Sequence, residues 1–511
     1  MPRRSHTLIV IIVLMLVALV ARIIPGPRTI DDAFITFRYS RNIVEGIGFV
    51  YNPGVHTLGT TTPLFTLIMA AFGVVGGGAY PWYALTVSAL ADAISTALIF
   101  LIARKVTGRE LVAIFPAALW AISPMSVTFA VGGMETSVVV LWLIVATYFY
   151  VVSEHKWRDI AMGLCAGLGV LTRVDSVLWI GPLLVWQLGE SWITRRKLPL
   201  RTWSAAVLVV LPWMLFSLAY FGTAIPNSVT AKRFAYLIQP NAALGQLLQT
   251  YSNAFFQFDL LGSLGVMIGA VLILACTLFA FSYALRSERR MVPLLLYPWV
   301  YFAAFAVLNP QMFRWYNAPP LPALIVGVFV GLWALLRPLQ KQRFALPLIA
   351  GGIGVLCVVT SLSGWTLTPD HGPNRPAPKM AWHAIELLYQ QMGEHLRNDL
   401  GVTAETRVAS GDIGAVGYFS RATIVDTVGL VTPELTRYYP INAALIVPGM
   451  NYAIPPQLIY DTQPDYLVTM EGFVRQGLAQ QEAFNAEYAL ITEYPFDFYG
   501  AGMQLYQRQG D

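Results

Sequence analysis

Two adjacent carboxylates, Asp31 and Asp32, open the stretch DDAFITFRYSRNIVEG (31–46), which follows directly on an apolar run. A carboxylate at the edge of a membrane segment is costly unless water, a cation or a metal is near. One of the two acids could cap the helix that this stretch predicts, with Gly46 as its end, but a single cap accounts for only one of them. Asp31 and Asp32 are therefore candidates for removing a proton from a hydroxyl group or for holding a divalent cation.

Further polar residues are predicted in loops on the same side of a membrane as these acids. Glu135 in GGMETSVVV opens an apolar run, where the dipole of a helix also favours a carboxylate. Arg173 and Asp175 in LTRVDS form either a local ion pair or part of a site. The other candidates are His56, Asn227, Lys232, Arg314 and Tyr316.

Several of these candidates have simpler explanations. A cation near acids suits a phosphate-bearing ligand, but Trp and Tyr also collect at membrane interfaces without any ligand. A lone histidine on a loop, such as His56, is more often solvated than bound. Asp92 lies inside an apolar run, and the sequence assigns it no partner and no role.

Composition places the chain among membrane proteins. Of its 511 residues 56% are hydrophobic and 12% are charged, whereas soluble proteins carry about 25% charged residues. The three cysteines lie far apart in apolar runs and predict no disulfide framework. The net charge of +5 does not indicate a nucleic-acid partner, because the distribution of the basic residues along the chain is the one expected from membrane topology.

A window of roughly 20 apolar residues predicts eleven spanning helices. They cover about residues 7–25, 81–103, 110–131, 136–152, 159–172, 176–193, 203–221, 260–284, 291–308, 317–336 and 344–364. With these spans, 17 of the 33 Lys and Arg fall in short loops on one side, which marks the cytoplasmic face. The N-terminus is then inside and the C-terminal tail outside. The first span could alternatively be a signal peptide, since two arginines precede its apolar core.

The segments outside the spans predict two further features. In the first outer loop (26–80), DDAFITFRYSRNIVEG reads as an interfacial helix, with Phe34 and Phe37 on one side and Arg38 and Arg41 on another. The apolar run TPLFTLIMAAFGVVGGG is short for a span and predicts a second interfacial or re-entrant helix.

The C-terminal tail differs in character from the rest of the chain. After a Pro-rich linker, a helical stretch (380–399) precedes five β-like runs, which predicts a small α/β domain. The runs are RVASGD, ATIVDTV, DYLVTM, YALITEY and MQLYQRQ. The predicted fold class is a polytopic α-helical membrane protein with an extracytoplasmic α/β domain, divided into residues 1–364 and 365–511. The Gly-rich GDIGAVGY (411–418) lacks dinucleotide spacing, and no Walker motif is present.

The arrangement resembles the GT-C glycosyltransferases, which transfer sugars from polyprenyl-phosphate carriers at the extracytoplasmic face. The first loop is similar to that of the bacterial branch containing the mycobacterial terminal arabinofuranosyltransferase. The later stretches GMET (133–136), LTRVDS (171–176), PNSVTAK (226–232) and GDIGAVGYFSR…VDTVGL (411–430) also resemble that branch. In PNSVTAK, Ser228 stands where a threonine is usual.

The resemblance implies a role for each candidate residue. Asp31 or Asp32 would be the catalytic carboxylate, Glu135 the second acid, and Asp31 with Glu135 could share a divalent cation. The residues that would contact the donor phosphate or the substrate are Arg38, His56, Arg173, Asp175, Asn227, Lys232, Arg314 and Tyr316.

The resemblance also implies the reaction. The expected enzyme is an inverting transferase of the plasma membrane. It would move arabinofuranose or another pentose or hexose from a polyprenyl-phosphate donor to a cell-envelope glycan, lipid or protein acceptor. Two alternatives remain: a transporter or flippase of lipid-linked sugars, and a non-catalytic membrane protein with a glycan-binding tail. Transporters usually carry ionisable residues near the bilayer midplane and contain inverted repeats. In this sequence only Asp92 fits the first feature, and no repeat is evident.

Overall fold

The computed structural model describes residues 2–252, 258–338, 345–366, 372–497 and 500–510. In these ranges the chain forms twenty α-helices. In chain order they are α1 (Pro2–Ile23), α2 (Asp31–Val44), α3 (Pro63–Gly76), α4 (Tyr80–Thr107), α5 (Glu110–Ile122), α6 (Pro124–Val131), α7 (Thr136–Val151), α8 (Arg158–Thr172), α9 (Val177–Arg195), α10 (Leu200–Phe221), α11 (Asn227–Ala235), α12 (Ala242–Ser252), α13 (Phe258–Ser287), α14 (Val292–Leu308), α15 (Leu321–Leu336), α16 (Ala345–Leu362), α17 (Ala384–Asn398), α18 (Gly414–Ser420), α19 (Pro456–Thr462) and α20 (Glu482–Glu487).

The described residues also form seven strands in two sheets. The strands are β1 (Trp365–Thr366), β2 (Ala377–Pro378), β3 (Arg407–Ser410), β4 (Thr423–Asp426), β5 (Tyr466–Met470), β6 (Tyr488–Pro495) and β7 (Gly502–Arg508). Strands β1 and β2 make an antiparallel pair, and the other five form one sheet in the order β4-β3-β5-β7-β6.

The chain divides into two compact units, each built from separate stretches of sequence. Unit 1 comprises Met1–Arg28, Pro81–Trp213 and Asn241–Trp382, and unit 2 comprises Thr29–Tyr80, Met214–Pro240 and His383–Asp511. The predicted boundary at residue 364 does not coincide with this division, because the first loop and residues 214–240 pack with the tail.

Unit 1 holds most of the apolar helices. Every predicted span coincides with a helix or a helix pair, but in the described residues only six helices are long and apolar enough to cross a membrane. These are Ser5–Ile23, Tyr80–Thr107, Leu200–Phe221, Gly262–Ser287, Arg289–Leu308 and Arg314–Leu336, and the pair α5 and α6, bent by 43°, would be a seventh. Helices α7 and α8 have only 16 and 15 residues. A multi-pass membrane protein is therefore supported, while the predicted count of eleven is not confirmed.

Small residues let the helices of unit 1 pack closely. A Cβ atom on Gly331 of α15 would collide with the backbone carbonyl of Cys276 on α13, and one on Gly163 of α8 would collide with that of Thr202 on α10. Association between apolar helices in lipid depends on such close backbone contact, since burial of apolar surface gives little gain there. Larger side chains at these two glycines would force the helices apart.

The five-stranded sheet of unit 2 confirms the five β-like runs predicted in the tail. Strand β3 pairs in parallel with β4 and β5, while β7 pairs antiparallel with β5 and β6. Parallel neighbours need a crossover connection, and α18 supplies it between β3 and β4. The predicted helix over 380–399 is observed as α17.

The first loop contributes α2 and α3 to unit 2. Helix α3 matches the predicted short apolar helix. Helix α2 is also observed, but Phe34 contacts the rings of Tyr418 and Phe419, and the side chains of Arg38 and Arg41 are buried. The tail therefore covers residues of both faces, and the placement of α2 at a membrane interface stays a prediction.

Candidate active site

Asp31 is bound to the tail rather than to its own helix. It is the first residue of α2, and Ile30 occupies the N-cap position that was predicted for one of the acids. The amide of Gly414 donates to Oδ2 of Asp31 at 2.9 Å, and the amide of Ala415 donates to Oδ1 at 2.7 Å. A Cβ on residue 414 would collide with the Asp31 carbonyl oxygen, so this approach requires glycine. Asp31 thus caps α18 through two charge-assisted hydrogen bonds.

Asp32 forms an ion pair with a residue 200 positions further along the chain. The Nζ atom of Lys232, in the last turn of α11, donates to Oδ2 of Asp32 at 3.1 Å. The side chain of Asp32 is 28% exposed and that of Lys232 is 20% exposed. This carboxylate can therefore be reached from outside the unit while a cation lies beside it.

A third acid, Asp412, completes the group in unit 2. It follows β3, and its Oδ2 accepts a hydrogen bond from the hydroxyl of Tyr389 on α17. Burial raises the pKa of the Asp412 carboxyl; the Tyr389 hydrogen bond lowers it, the charge of Asp32 raises it further, and Lys232 opposes that rise. The sequence analysis missed Asp412, although it noted the surrounding GDIGAVGY. An acid placed directly after a strand was the available signal.

The three acids influence one another electrostatically. Burial raises the pKa of the Asp31 carboxyl well above its usual range, and the negative charges of Asp412 and Asp32 add to this, while the two amide hydrogen bonds oppose it. Like charges at close range disfavour joint ionisation. The group consequently favours bound cations and positive charge that develops during a reaction.

Arg38 does not occupy the role predicted for it. Its side chain is buried, and its guanidinium donates to the backbone carbonyls of Tyr51, Gly417 and Ala422 at 2.9, 2.7 and 2.6 Å. It also donates to Oδ1 of Asn52 at 3.2 Å. These contacts join α2 to the tail, and a donor phosphate would have to displace them.

Two other predicted residues lie in unit 2. The amide of Asn227 donates to the carbonyls of Gly429 and Leu430 at 2.6 and 3.0 Å, which is a structural contact. His56 is exposed and stacks on the ring of Tyr220 with centroids 4.2 Å apart. Among the described residues, neither side chain bonds to any of the three acids.

A second charged group lies in unit 1, around Arg173. Glu135 occupies the N-cap position of α7, and its Oε1 lies 3.6 Å from Nε of Arg173. Nη2 of Arg173 lies 2.6 Å from Oδ2 of Asp175, and its guanidinium is 4.9 Å from the ring centroid of Tyr316. Burial lowers the pKa of Arg173, but the charges of Asp175 and Glu135 outweigh this and raise it overall. Four predicted residues are thus brought together, with the guanidinium at their centre.

Arg314 is predicted on the same loop as Tyr316 but lies exposed. Its Nη1 donates to the carbonyl of Met380 at 3.3 Å. In contrast, Nη1 of Arg173 is buried and has no hydrogen-bond partner among the described residues. A buried guanidinium donor without a partner is unusual and suits an anionic ligand.

The residues offer no ready-made metal centre. In the described ranges no group of three or more His, Cys, Asp or Glu is arranged to hold a metal ion. Asp31 belongs to unit 2 and Glu135 to unit 1, and a cation shared by them stays a prediction.

Sequence comparisons match two parts of the chain to known families. Residues 60–216 match the family described as dolichyl-phosphate-mannose-protein mannosyltransferase, and residues 380–507 match a domain of unknown function (DUF8728). The chain is also 27% identical over 224 residues to the terminal beta-(1->2)-arabinofuranosyltransferase of Mycobacterium tuberculosis. The matched mannosyltransferase family and this relative are both glycosyltransferases, and the matched parts of the chain are similar to them. The alignment covers 40% of this chain and 34% of the relative, so the chain spans about a third of that protein's length.

Solved structures show the same fold. ArnT from Cupriavidus metallidurans, bound to undecaprenyl phosphate, aligns with a TM-score of 0.54 and 15% identity over 99% of this chain and 98% of ArnT. The oligosaccharyltransferase of Archaeoglobus fulgidus, tethered to an acceptor peptide, aligns with a TM-score of 0.56 and 11% identity, covering 99% and 74% of the two chains. The predicted resemblance to GT-C glycosyltransferases is confirmed.

Proposed function

We propose that this chain is an inverting glycosyltransferase of the plasma membrane. It transfers a sugar from a polyprenyl-phosphate donor to a cell-envelope glycan, lipid or protein acceptor at the outer face. The observation that carries the proposal is the pairing of Asp32 with Lys232, close to Asp31 and Asp412 in unit 2. The match of residues 60–216 to the dolichyl-phosphate-mannose-protein mannosyltransferase family and the similarity to the mycobacterial arabinofuranosyltransferase support it.

Asp32 is the proposed general base. Both oxygens of Asp31 already accept amide hydrogen bonds, whereas Asp32 is partly exposed and forms an ion pair with Lys232. A base must reach the proton that it removes, so the accessible carboxylate is favoured. Asp31 then holds the turn after β3 in place, which brings Asp412 to the site.

The reaction moves one proton and one glycosyl bond. The acceptor hydroxyl attacks the anomeric carbon, its proton passes to Asp32, and the bond from that carbon to the phosphate oxygen breaks, leaving polyprenyl phosphate. Attack from the opposite side inverts the configuration. Glycosyl transfer develops positive charge on the sugar ring, which nearby carboxylates stabilise.

Arg173 is the candidate that unit 1 offers for contact with a phosphate group. It is buried, its Nη1 has no partner among the described residues, and Tyr316 covers its guanidinium. Fixed guanidinium donors stabilise charge that develops on a leaving phosphate. Glu135 and Asp175 hold the guanidinium in a fixed orientation. Lys232 is a second candidate for this contact.

Topology and sugar identity follow from different observations. Positive loops on one side support an inside N-terminus and an outside tail. The name of the mycobacterial relative makes arabinofuranose the first sugar to test, followed by other pentoses and hexoses.

A transfer assay tests the proposal directly. Purified protein in lipid vesicles is given synthetic polyprenyl-phosphate sugars and candidate acceptors, and the wild type is compared with Asp32→Asn and Asp31→Asn. Loss of a general base lowers turnover by about 10²–10⁴-fold, so we expect Asp32→Asn to lose activity while its melting temperature is unchanged. Asp399→Asn is the matched control, because that acid is 67% exposed and pairs only locally with His395.

The outcomes separate the proposal from its alternatives. Wild-type turnover in both Asp31→Asn and Asp32→Asn would remove the catalytic assignment. Movement of the labelled lipid across the vesicle without a covalent product would favour a flippase. Placement of residues 31–46 on the cytosolic face, measured by labelling of an introduced cysteine in intact cells, would contradict the proposed topology.

A further inference from the structure

Two opposite charges lie deep in the apolar helices of unit 1. Arg22 is in the last turn of α1 and Asp92 is in the middle of α4, and neither side chain is exposed. Nε of Arg22 donates to Oδ2 of Asp92 at 2.9 Å. Charges inside membrane helices are expensive and usually have a function. The reaction proposed above uses neither residue.

Arg22 supplies hydrogen bonds where α5 and α6 are broken. Pro124 has no amide hydrogen, so the carbonyl of Trp120 loses its donor four residues later. The hydroxyl of Ser126 donates to that carbonyl at 2.6 Å, and Nη2 of Arg22 donates to Ser126 Oγ at 3.1 Å. Nη1 of Arg22 donates to the carbonyl of Ala121. A cation at the end of a helix also interacts favourably with its dipole.

Asp92 binds the start of α7, which follows Glu135 in the chain. The hydroxyl of Ser137, in the first turn of α7, donates to Oδ2 of Asp92 at 3.0 Å. Helix α6 leads through Gly132 and Gly133 to Glu135, so residues 126 and 137 flank the acid. One ion pair therefore anchors the chain before and after Glu135.

We propose that Arg22 and Asp92 are positioning residues that fix the backbone of residues 126–137 and thereby orient Glu135. The ion pair holds the bend between α5 and α6 through Ser126 and holds the start of α7 through Ser137. Its effect on sugar transfer rests on the proposed function, whereas its effect on the geometry of Glu135 does not.

An ion pair is a suitable device for this task. Buried pairs contribute little net stability compared with apolar residues of similar volume, but they demand one geometry. Replacing both charges by apolar side chains should therefore leave a folded protein in which the segment around Glu135 is less fixed. Replacing only one charge would leave the other uncompensated and is a poorer test.

The experiment measures the accessibility of residue 134, next to Glu135. Met134 is 7% exposed, and Met134→Cys in a chain without Cys165, Cys276 and Cys357 serves as the reporter. The full-length protein is reconstituted, and the rate of labelling by a small methanethiosulfonate reagent is followed. A second reporter, His155→Cys, lies on the exposed loop after α7 and records general loosening.

Three variants are compared in each reporter background. Arg22→Met with Asp92→Leu removes the pair, and Ser137→Ala removes one anchor without changing charge. Ser88→Ala is the matched control, because Ser88 is buried on the same helix as Asp92 and its hydroxyl has no partner in the described residues.

We expect residue 134 to label about tenfold faster in the double variant and about threefold faster in Ser137→Ala, since local opening becomes easier. Ser88→Ala and the residue 155 reporter should be unchanged. In the transfer assay, the kcat of the double variant should fall more than the donor KM rises, as expected when Glu135 no longer holds the Arg173 guanidinium in its orientation.

Three outcomes would overturn the proposal that Arg22 and Asp92 position Glu135, and a fourth would separate it from the proposed function. An unchanged labelling rate in a folded double variant overturns the proposal, and if that variant does not fold, an unchanged rate in Ser137→Ala overturns it. Equal acceleration at residue 155 also overturns it, because the effect would then be global. Faster labelling at residue 134 in the double variant, together with no sugar transfer by the wild-type protein, supports the positioning role and contradicts the proposed function.

Discussion

Arg38→Met distinguishes a structural arginine from a ligand-binding one. In wild type the guanidinium donates to the carbonyls of Tyr51, Gly417 and Ala422 and to the side chain of Asn52. Methionine fills similar space but donates no hydrogen bond. The substitution leaves buried backbone carbonyls without the donor that now satisfies them.

The expected loss of stability follows from those contacts. Hydrogen bonds to a charged group contribute about 1.5–3 kcal/mol each, and losses within one network are not additive. We therefore expect unit 2 to lose about 3–5 kcal/mol. In a domain of about 200 residues, each kcal/mol shifts the melting temperature by about 2–4 °C, so the shift should be on the order of 10 °C.

The assay must report on unit 2 itself. All 14 tryptophans lie in unit 1, so tryptophan emission would follow the wrong part of the chain. Scanning calorimetry of the detergent-solubilised protein gives the transition, and hydrogen exchange of peptides from β3 to β5 assigns it to unit 2. Arg233→Met, an exposed arginine on α11, is the control and should melt as wild type does.

The opposite result has a clear form. If Arg38→Met melts within about 2 °C of wild type while the donor KM rises about tenfold, Arg38 contacts the donor and the structural reading is wrong. A large melting shift together with an unchanged KM in the remaining folded protein supports the structural role.

Two further predictions concern charged groups elsewhere in the two units. Arg173→Met removes the guanidinium that Glu135 and Asp175 share and should destabilise unit 1 by about 3–5 kcal/mol. Glu135→Gln keeps the Arg173–Asp175 pair and should melt close to wild type. Tryptophan emission measures both melting temperatures, and equal shifts in the two variants would contradict the observed geometry. Burial raises the pKa of Asp426 to about 6 despite opposing backbone hydrogen bonds. The folded state therefore binds the proton more tightly than the unfolded state does. This raises the free energy of unfolding by about 3 kcal/mol below about pH 4, and that contribution is lost as the pH rises to about 6. In Asp426→Asn that part of the pH dependence, measured by calorimetry, should disappear, and an identical pH profile in both proteins would refute the assignment.

Local patterns in the sequence predicted the elements well. Apolar runs gave helices at every predicted span, and alternating β-like runs gave the five strands of the tail sheet. Both signals depend on residues close together in sequence, because helix and strand formation repeat over a few residues. The predicted number of membrane-spanning helices is not confirmed, since α7 and α8 are shorter than a helix that crosses a membrane perpendicularly.

The candidate residues illustrate what the sequence could not give. Asp31 and Asp32 stood out by their type and position, but the partners of both come from distant parts of the chain. Arg38 was expected to meet a ligand because it is a cation near acids, yet tail carbonyls bind it. Asp412 was missed because only the fold brings it close to the first loop.

The sequence by itself determined that this is a multi-pass membrane protein with a tail of helices and strands, and it singled out the acids of the first loop. Hydropathy and periodicity carry that information, since both act over short distances along the chain. Tertiary structure decided which acid is partly exposed, which arginine donates to backbone carbonyls of the tail and which residues flank Glu135. Those facts depend on contacts between residues up to about 380 positions apart. Such contacts form only when the chain folds, because burial and hydrogen-bond geometry then determine which polar groups meet.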